Sequence, residues 1–339
     1  MKILCSIVIA MIAAYLAPGI SARADPIADF YTGKTIRIIN WSAPGGEYDL
    51  HGRLFAQFLG RHIPGSPTVI QQAMPGAGGL LAANYLYNSA ARDGTVLAIM
   101  NNGSPLFQTF DADNARYDAG KLNWIGTIAP ITEDLVAWHT APVKSFADLL
   151  TTELIIGTTG KGNTSYMIPV TMNALLGTKI KSLIGFRGGA DVNLAIERGE
   201  IMGRINTWSG MKATKPDWIK ENEVNVLVQS GLAADPDLPN VPLLVDLARN
   251  DDDRATFRIF AATARLGRPL VTTPDVPPDR LEALQAAFAA MMTDQAFIAE
   301  ATKLQIEIAP VGPGEMRKLV ESILSTPKPI IARLKAIVD

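Results

Sequence analysis

The chain has 339 residues, 48% of them apolar and 19% charged, with 31 basic side chains against 33 acidic ones. That supplies a sizeable core and enough length for two domains. No basic cluster of the kind that grips a nucleic-acid backbone breaks the near-balance of charge, so no nucleic-acid partner is expected.

Residues 1–24 read as an export leader. Lys2 gives a positive start, Ile3 to Leu16 is an apolar run too short for a comfortable membrane span, and Pro18-Gly19 interrupts its end. Ala22-Arg23-Ala24 then offers small-x-small cleavage chemistry after Ala24. Cleavage leaves 29 basic and 33 acidic residues, a net charge of −4. The single cysteine, Cys5, falls inside this leader, too early for a lipid anchor. The mature chain therefore has no disulfide, thiolate metal site or cysteine nucleophile, a composition compatible with a bacterial periplasm.

After a polar lead-in (25–33), the stretch Lys34 to Arg53 organises the rest. Thr35, Ile36, Ile38 and Ile39 predict a buried strand, Ala43-Pro44-Gly45-Gly46 breaks it, and Leu50, Leu54, Phe55 and Phe58 recur at helical spacing. Asp49 stands as candidate N-cap. A strand, a glycine loop and a helix start aim free N–H groups at one point, which suits an anion. Pro64-Gly65-Ser66-Pro67 predicts a turn, Thr68–Gln71 a second strand, Pro75–Gly79 a glycine loop onto the helix 80–88, and Asp93-Gly94 a turn into strand 95–100. This alternation suits right-handed crossovers and a parallel sheet, which binds ligands beyond its strand ends.

Trp124 to Ala137 reads as an extended crossing into a second lobe. There Leu154–Gly157 forms a strand, residues 158–165 a small-residue loop, and Tyr166–Leu176 a helix interrupted by Pro169, which repeats the device of the first lobe. Strands follow at 180–186 and 224–229, with a helix from Val192 to Arg198 between them. Asp251-Asp252-Asp253 reads as a solvated run, and 257–270 as an extended return to the first lobe. A helix carries Leu281, Leu284, Phe288 and Met291, Asp294 caps another from Gln295 to Lys303, and Ile306 and Ile308 alternate as a strand. The expected division is lobe one from 25–126 with 261–339, and lobe two from 127–260.

Catalytic and nucleotide motifs fail on inspection. Gly162 follows Lys161 where a P-loop needs Ser or Thr, and Leu81 occupies the third glycine position of a dinucleotide loop. No Gly-x-Ser-x-Gly occurs, and His51, His62 and His139 share no metal spacing. His51, one turn into the first helix, reads as a helix residue, though it could face the cleft. Trp41, Tyr48, Trp208 and Tyr166 are the aromatics near the loops. Among possible counter-ions, Arg187 beside Gly188-Gly189 ranks ahead of Arg204 and Lys161.

The ordered set Pro44-Gly45-Gly46-x-x-Asp49-x-x-x-Arg53, Pro75-Gly76-Ala77-Gly78-Gly79, Asp93-Gly94-Thr95, Gly160-x-Gly162, Arg187-Gly188-Gly189, Arg198-Gly199-Glu200 and Pro274 to Phe297 resembles the receptors of tripartite tricarboxylate transporters, or Bug-type receptors. The resemblance implies an α/β, type II-like periplasmic binding protein, each lobe a mostly parallel sheet flanked by helices, joined by two crossover strands. It implies a non-enzymatic receptor that closes on a small di-, tri- or aromatic carboxylate, without cofactor or metal, and delivers it to a two-component membrane permease. Carried over, the ligand-binding residues are Ser42, Ala43, Gly45, Gly46 and Asp49 in one lobe. Thr158, Thr159, Gly160, Gly162, Asn163, Thr164 and Ser165 face them from the other. Tyr48 and Arg187 complete the set. Glu47-Tyr48 replaces the small hydroxyl residue common after the paired glycines. The expectation is that Glu47 points outward and Tyr48 packs on the ligand, favouring a larger or aromatic acid. Two alternatives remain: a sensory receptor that presents the acid to a membrane protein, and an exported enzyme using His51 or Asp49 as general base.

Overall fold

The structure is a computed structural model that describes residues 25–339; the leader and Cys5 lie outside the described residues. In chain order the first elements are α1 (Pro26–Tyr31), β1 (Thr35–Asn40), α2 (Glu47–Phe58), β2 (Thr68–Ala73), α3 (Leu80–Asn88), β3 (Val96–Ile99), α4 (Ser104–Phe110) and β4 (Asn123–Gly126). The chain then crosses to β5 (Glu133–Trp138), β6 (Leu154–Thr158), α5 (Thr164–Leu176), β7 (Ile180–Ile184), α6 (Gly189–Glu197), β8 (Gly203–Thr207), α7 (Trp208–Thr214), α8 (Pro216–Lys220) and β9 (Val224–Ser230). It returns through α9 (Asp251–Arg265) to β10 (Leu270–Thr272) and finishes with α10 (Pro278–Met291), α11 (Gln295–Lys303), α12 (Pro313–Leu324) and α13 (Lys328–Val338).

Two five-stranded sheets result, ordered β2-β1-β3-β10-β4 and β7-β6-β8-β5-β9. In each, one strand runs against its neighbours: β10 is antiparallel to β3 and β4, and β5 to β8 and β9. Those two are the strands reached by the crossings, so the connectivity itself dictates the mixed sheets. The remaining neighbours are parallel, as right-handed strand–helix–strand units require.

Burial follows the side-chain patterns. Ile36, Ile38 and Ile39 of β1 are fully buried, and each such side chain contributes ~1.5–3 kcal/mol by leaving water. The helix α5 keeps Pro169 within it and stops at Gly177 in the left-handed conformation. Asp294 caps α11 by accepting from the Ala296 N–H.

Five expectations change. Residues 257–265 are helical, because Asn250 caps α9 and three aspartates in its first turn favour the positive helix end. Phe257, Phe260, Ala261 and Ala264 then form a buried stripe at helical spacing. Asp253 is no solvated residue: it is buried and pairs with Arg333 of α13. The crossing 124–137 is two strands in different sheets rather than one, and 306–308 forms no strand. Finally, Gly46, not Asp49, is the N-cap of α2; Asp49 lies in the first turn and accepts from the Gly45 N–H at 2.8 Å.

Candidate functional site

The strand ends of both sheets meet around a cavity of about 80 Å³. Trp41, Ser42, Glu47 and Tyr48, from the end of β1 and the start of α2, form one wall. Thr158 and Thr159, with Asn163, Thr164 and Ser165 at the start of α5, form the opposite wall. Glu133 from β5, Arg204 and Asn206 from β8, and Arg268 between α9 and β10 complete it.

The lobes touch directly at its rim. The Ala43 N–H donates to the Arg187 carbonyl at 3.0 Å, and the Asn101 amide donates to the carbonyls of Gly78 and Gly162 on either side of the cleft. Glycine is needed at these contacts for space. A Cβ on Gly188 would lie 2.5 Å from Ser42 Oγ and 3.0 Å from the Ala43 nitrogen, and one on Gly160 would lie 2.8 Å from the Gly78 nitrogen.

Arg268 and Glu47 form a buried ion pair, their side chains 5% and 13% exposed. The Thr207 hydroxyl donates to Glu47 at 2.8 Å and accepts from Arg268 at 3.1 Å. Tyr48 lies under the Arg268 guanidinium (5.8 Å to the ring centre), meets Trp41 edge-on, and its hydroxyl donates to Asn102. Arg204 donates to the carbonyls of Gly189 and Ile205 and to Asn193. Burial draws Arg204 down to about 10 and Arg268 to about 9, so both stay charged at neutral pH. Burial pushes Glu133 up to about 7, opposed by the hydrogen bond from Thr164 and by the neighbouring Asn102 side chain. It likewise raises Asp134, helped by Asp235.

Six buried polar atoms on the wall have no protein partner: Trp41 Nε1, Thr159 Oγ1, Ser165 Oγ, Asn206 Nδ2, Arg268 Nε and Glu133 Oε2. Five can donate and one only accepts when ionised. Native interiors rarely leave such groups unsatisfied, so the cavity suits water or a guest with acceptor oxygens.

Of the residues singled out from sequence, Ser42, Tyr48, Thr158, Thr159, Asn163, Thr164 and Ser165 line the cavity. Ala43, Gly45, Gly46, Gly160 and Gly162 lie instead at the contact between lobes: Gly45 and Gly46 face Gly189 and Ala190, and Gly160 and Gly162 face Ala77 and Gly78. Asp49 is buried behind the wall, tied to Arg53, Gln71 and the Gly45 amide. Glu47 and Asp49 together place the protein's own anions at the positive end of α2, and Asn163 caps α5 through the Ser165 N–H. Of the backbone amides and small side chains expected from the two loops, the small polar side chains line the cavity, while the glycine backbone of both loops lies at the contact between lobes. Arg187 is exposed and offers only its backbone carbonyl. Lys161 is exposed and reaches the Asp339 carbonyl, while Trp208 bonds Asp237 outside the cavity. Glu47 points inward, not outward, because Arg268 and Thr207 hold it there. His51 faces a small side cavity with Glu47 and Arg268, its Nδ1 on the Glu47 carbonyl; burial lowers it to about 4 and keeps it neutral.

A family model described as "Tripartite tricarboxylate transporter family receptor" matches residues 57–336. The chain belongs to that family. The match begins after the Pro44–Asp49 loop, so it stands independently of the first glycine motif. No curated protein sequence matches the chain. Among solved structures, the periplasmic binding protein BugD superposes with a TM-score of 0.71 at 16% identity, covering 91% of this chain and 98% of its own. Rpa4515 of R. palustris with adipate gives 0.69 at 19%, covering 89% and 97%. MatC from Rhodopseudomonas palustris with bound malate gives 0.69 at 19%, covering 90% and 99%. At these identities the likeness establishes the two-lobe α/β fold. Family and fold are those of solute-binding proteins, which are not enzymes.

Within this tripartite tricarboxylate receptor, Glu133, Asn206 and Arg268 are among the cavity residues that sequence reasoning missed, with Asn102 and Thr207, and it ranked Arg204 below Arg187. Arg268 did carry a signal: it is the lone charge in Leu266-Gly267-Arg268-Pro269-Leu270, fixed between a glycine and a proline at the return to the first sheet.

Proposed function

We propose that this receptor is exported, captures a small organic carboxylate between its lobes, and hands it to the two-component permease of a tripartite tricarboxylate-type transporter. The observation that carries the reading is the set of five buried, unpartnered donor groups around one cavity that also holds two guanidinium groups. Carboxylate oxygens accept from such groups with charge-assisted strength in a water-poor site. Support for the ligand class comes from adipate and malate in structures of the same fold, for the transporter from the family's description, and for the periplasmic location from BugD, a periplasmic binding protein of the same fold.

The test is a thermal-shift and calorimetric screen of di-, tri- and aromatic carboxylates. Trp41→Phe and Ser165→Ala remove unpartnered donors while leaving no buried group without a partner. Each should weaken binding by about 5- to 10-fold with little change in the melting temperature of the free protein. Response to sugars or nucleotides but to no acid would overturn the assignment.

A further inference from the structure

We propose that Glu133 selects the ligand, and that the bound acid is one carrying a hydrogen-bond donor on its skeleton, an amino or hydroxy acid whose donor meets the Glu133 carboxylate. The inference rests on the carboxylate-receptor reading above and narrows it.

Glu133 is the first residue of β5, at the point where the chain enters the second sheet, and is 6% exposed. Its Oε1 accepts from the Thr164 hydroxyl. Glu133 lines the same cavity, and its buried Oε2 has no partner among the described residues. The charged and titratable groups that line the cavity with it bond other partners or carry the wrong sign, apart from the Arg268 Nε, which bonds neither Glu133 nor any other group. Arg268 is held by Glu47 and Thr207, and Arg204 by Gly189, Ile205 and Asn193. Glu47 and Tyr48 approach from α2, the Tyr48 hydroxyl being spent on Asn102; Asp134 follows on the same strand with Asp235 beyond it. The Asn102 amide donates to the Thr263 carbonyl. Among the described residues no donor reaches Oε2, so the donor comes from the guest.

The alternative guest, an acid without a donor, would set an anionic or ether-like oxygen against a carboxylate. Glu133 would then have to hold a proton. Burial pushes it up to about 7, so both forms are accessible near neutrality and the two guest classes drive the proton in opposite directions. An ammonium group favours the carboxylate and expels a proton. A plain acid favours the protonated form and takes one up.

Titration calorimetry at pH 7 in phosphate and in Tris reads both affinity and proton exchange, using matched pairs: succinate with aspartate and malate, glutarate with glutamate. The donor-bearing member should bind about 10-fold or more tightly, as a hydrogen bond to a charged group warrants, and the amino acid should release protons. Glu133→Gln keeps the shape and should erase both the preference and the proton release. If the plain acid binds as tightly as its partner, or takes up no proton, the inference fails and the receptor reading stands; this comparison needs no variant. If the variant folds and retains the preference, the inference fails too. Silence of every acid overturns the carboxylate reading and this inference together.

Discussion

Glu47 and Arg268 show how far burial governs chemistry at single residues. Taking both charges out of water costs several kcal/mol, and their attraction offsets this only when the remaining hydrogen-bonding capacity is used. Thr207 uses part of it by bonding both partners. The Arg268 Nε is left without a partner on a residue that lines the cavity, where a bound anion would complete the arrangement. Glu133, Asp134 and His51 make the same point through pH. Glu133 rises from 4.5 to about 7 on folding, so between those values the folded state binds more protons than the unfolded one, and stability falls as pH rises. The full slope for one such group is about 1.4 kcal/mol per pH unit. Asp134 acts in the same direction. His51 acts in the other: lowered from 6.5 to about 4, it favours the folded state increasingly as pH rises across that window. Above pH 6.5 only the carboxyls remain, so the ligand-free protein should be more stable to urea at pH 6.5 than at pH 8. Glu133→Gln should flatten that difference; an unchanged pH slope would place the titration elsewhere.

At the level of elements, the two crossings pack on one another and carry the site. Ile131 N–H donates to the Ala264 carbonyl at 3.1 Å, and the Arg268 N–H to the Thr127 hydroxyl at 3.0 Å. Gly267 sits between them at φ +62°, and a Cβ there would come within 2.1 Å of the Ala129 carbonyl oxygen. Both strain and clash predict that Gly267→Ala destabilises the protein by more than ~1–3 kcal/mol and displaces Arg268, measurable as a lower urea midpoint together with weaker acid binding. A variant with wild-type stability would show that the crossing has slack. The crossings also mark how much of the molecule could be read from sequence. Strand, glycine loop and helix succeed one another with distinct composition, so β1–α2 and β6–α5 were legible. Residue preference points to Asp49 over Gly46 as the cap, but the helix starts three residues earlier at Gly46, and spacing alone does not choose between them. Thr256, Phe257, Ile259 and Phe260 favour strands locally, and the tertiary burial of one helical face overrode them. Arg187 and Arg268 both lie next to glycine, and only the fold decides which side chain turns inward.

For the whole molecule, the described arrangement has the lobes closed on one another, and the free energy of that contact enters the affinity for any guest. A ligand that bridges Trp41 on one side and Ser165 on the other binds the closed form only, so the fraction of time the lobes spend closed multiplies its intrinsic affinity. Gly188 isolates this contribution. Its φ of 172° and ψ of 178° are extended values open to any residue, so a side chain there strains nothing within its own lobe. It is also the N-cap of α6, a position that serine fills at least as well as glycine. The obstruction that Gly188→Ser introduces is therefore between lobes, where the new Cβ meets Ser42 Oγ and the Ala43 nitrogen that bonds Arg187. The variant should unfold at nearly the wild-type temperature, show a larger radius of gyration in solution scattering with ligand present, and bind about 10-fold more weakly for each 1.4 kcal/mol by which closure is opposed. If affinity and dimensions both stay at wild-type values, Ser42 and Ala43 yield without cost, and closure at this rim does not limit capture. If the variant instead loses thermal stability with no change in dimensions, the contact belongs to the folding of the second lobe rather than to its motion against the first.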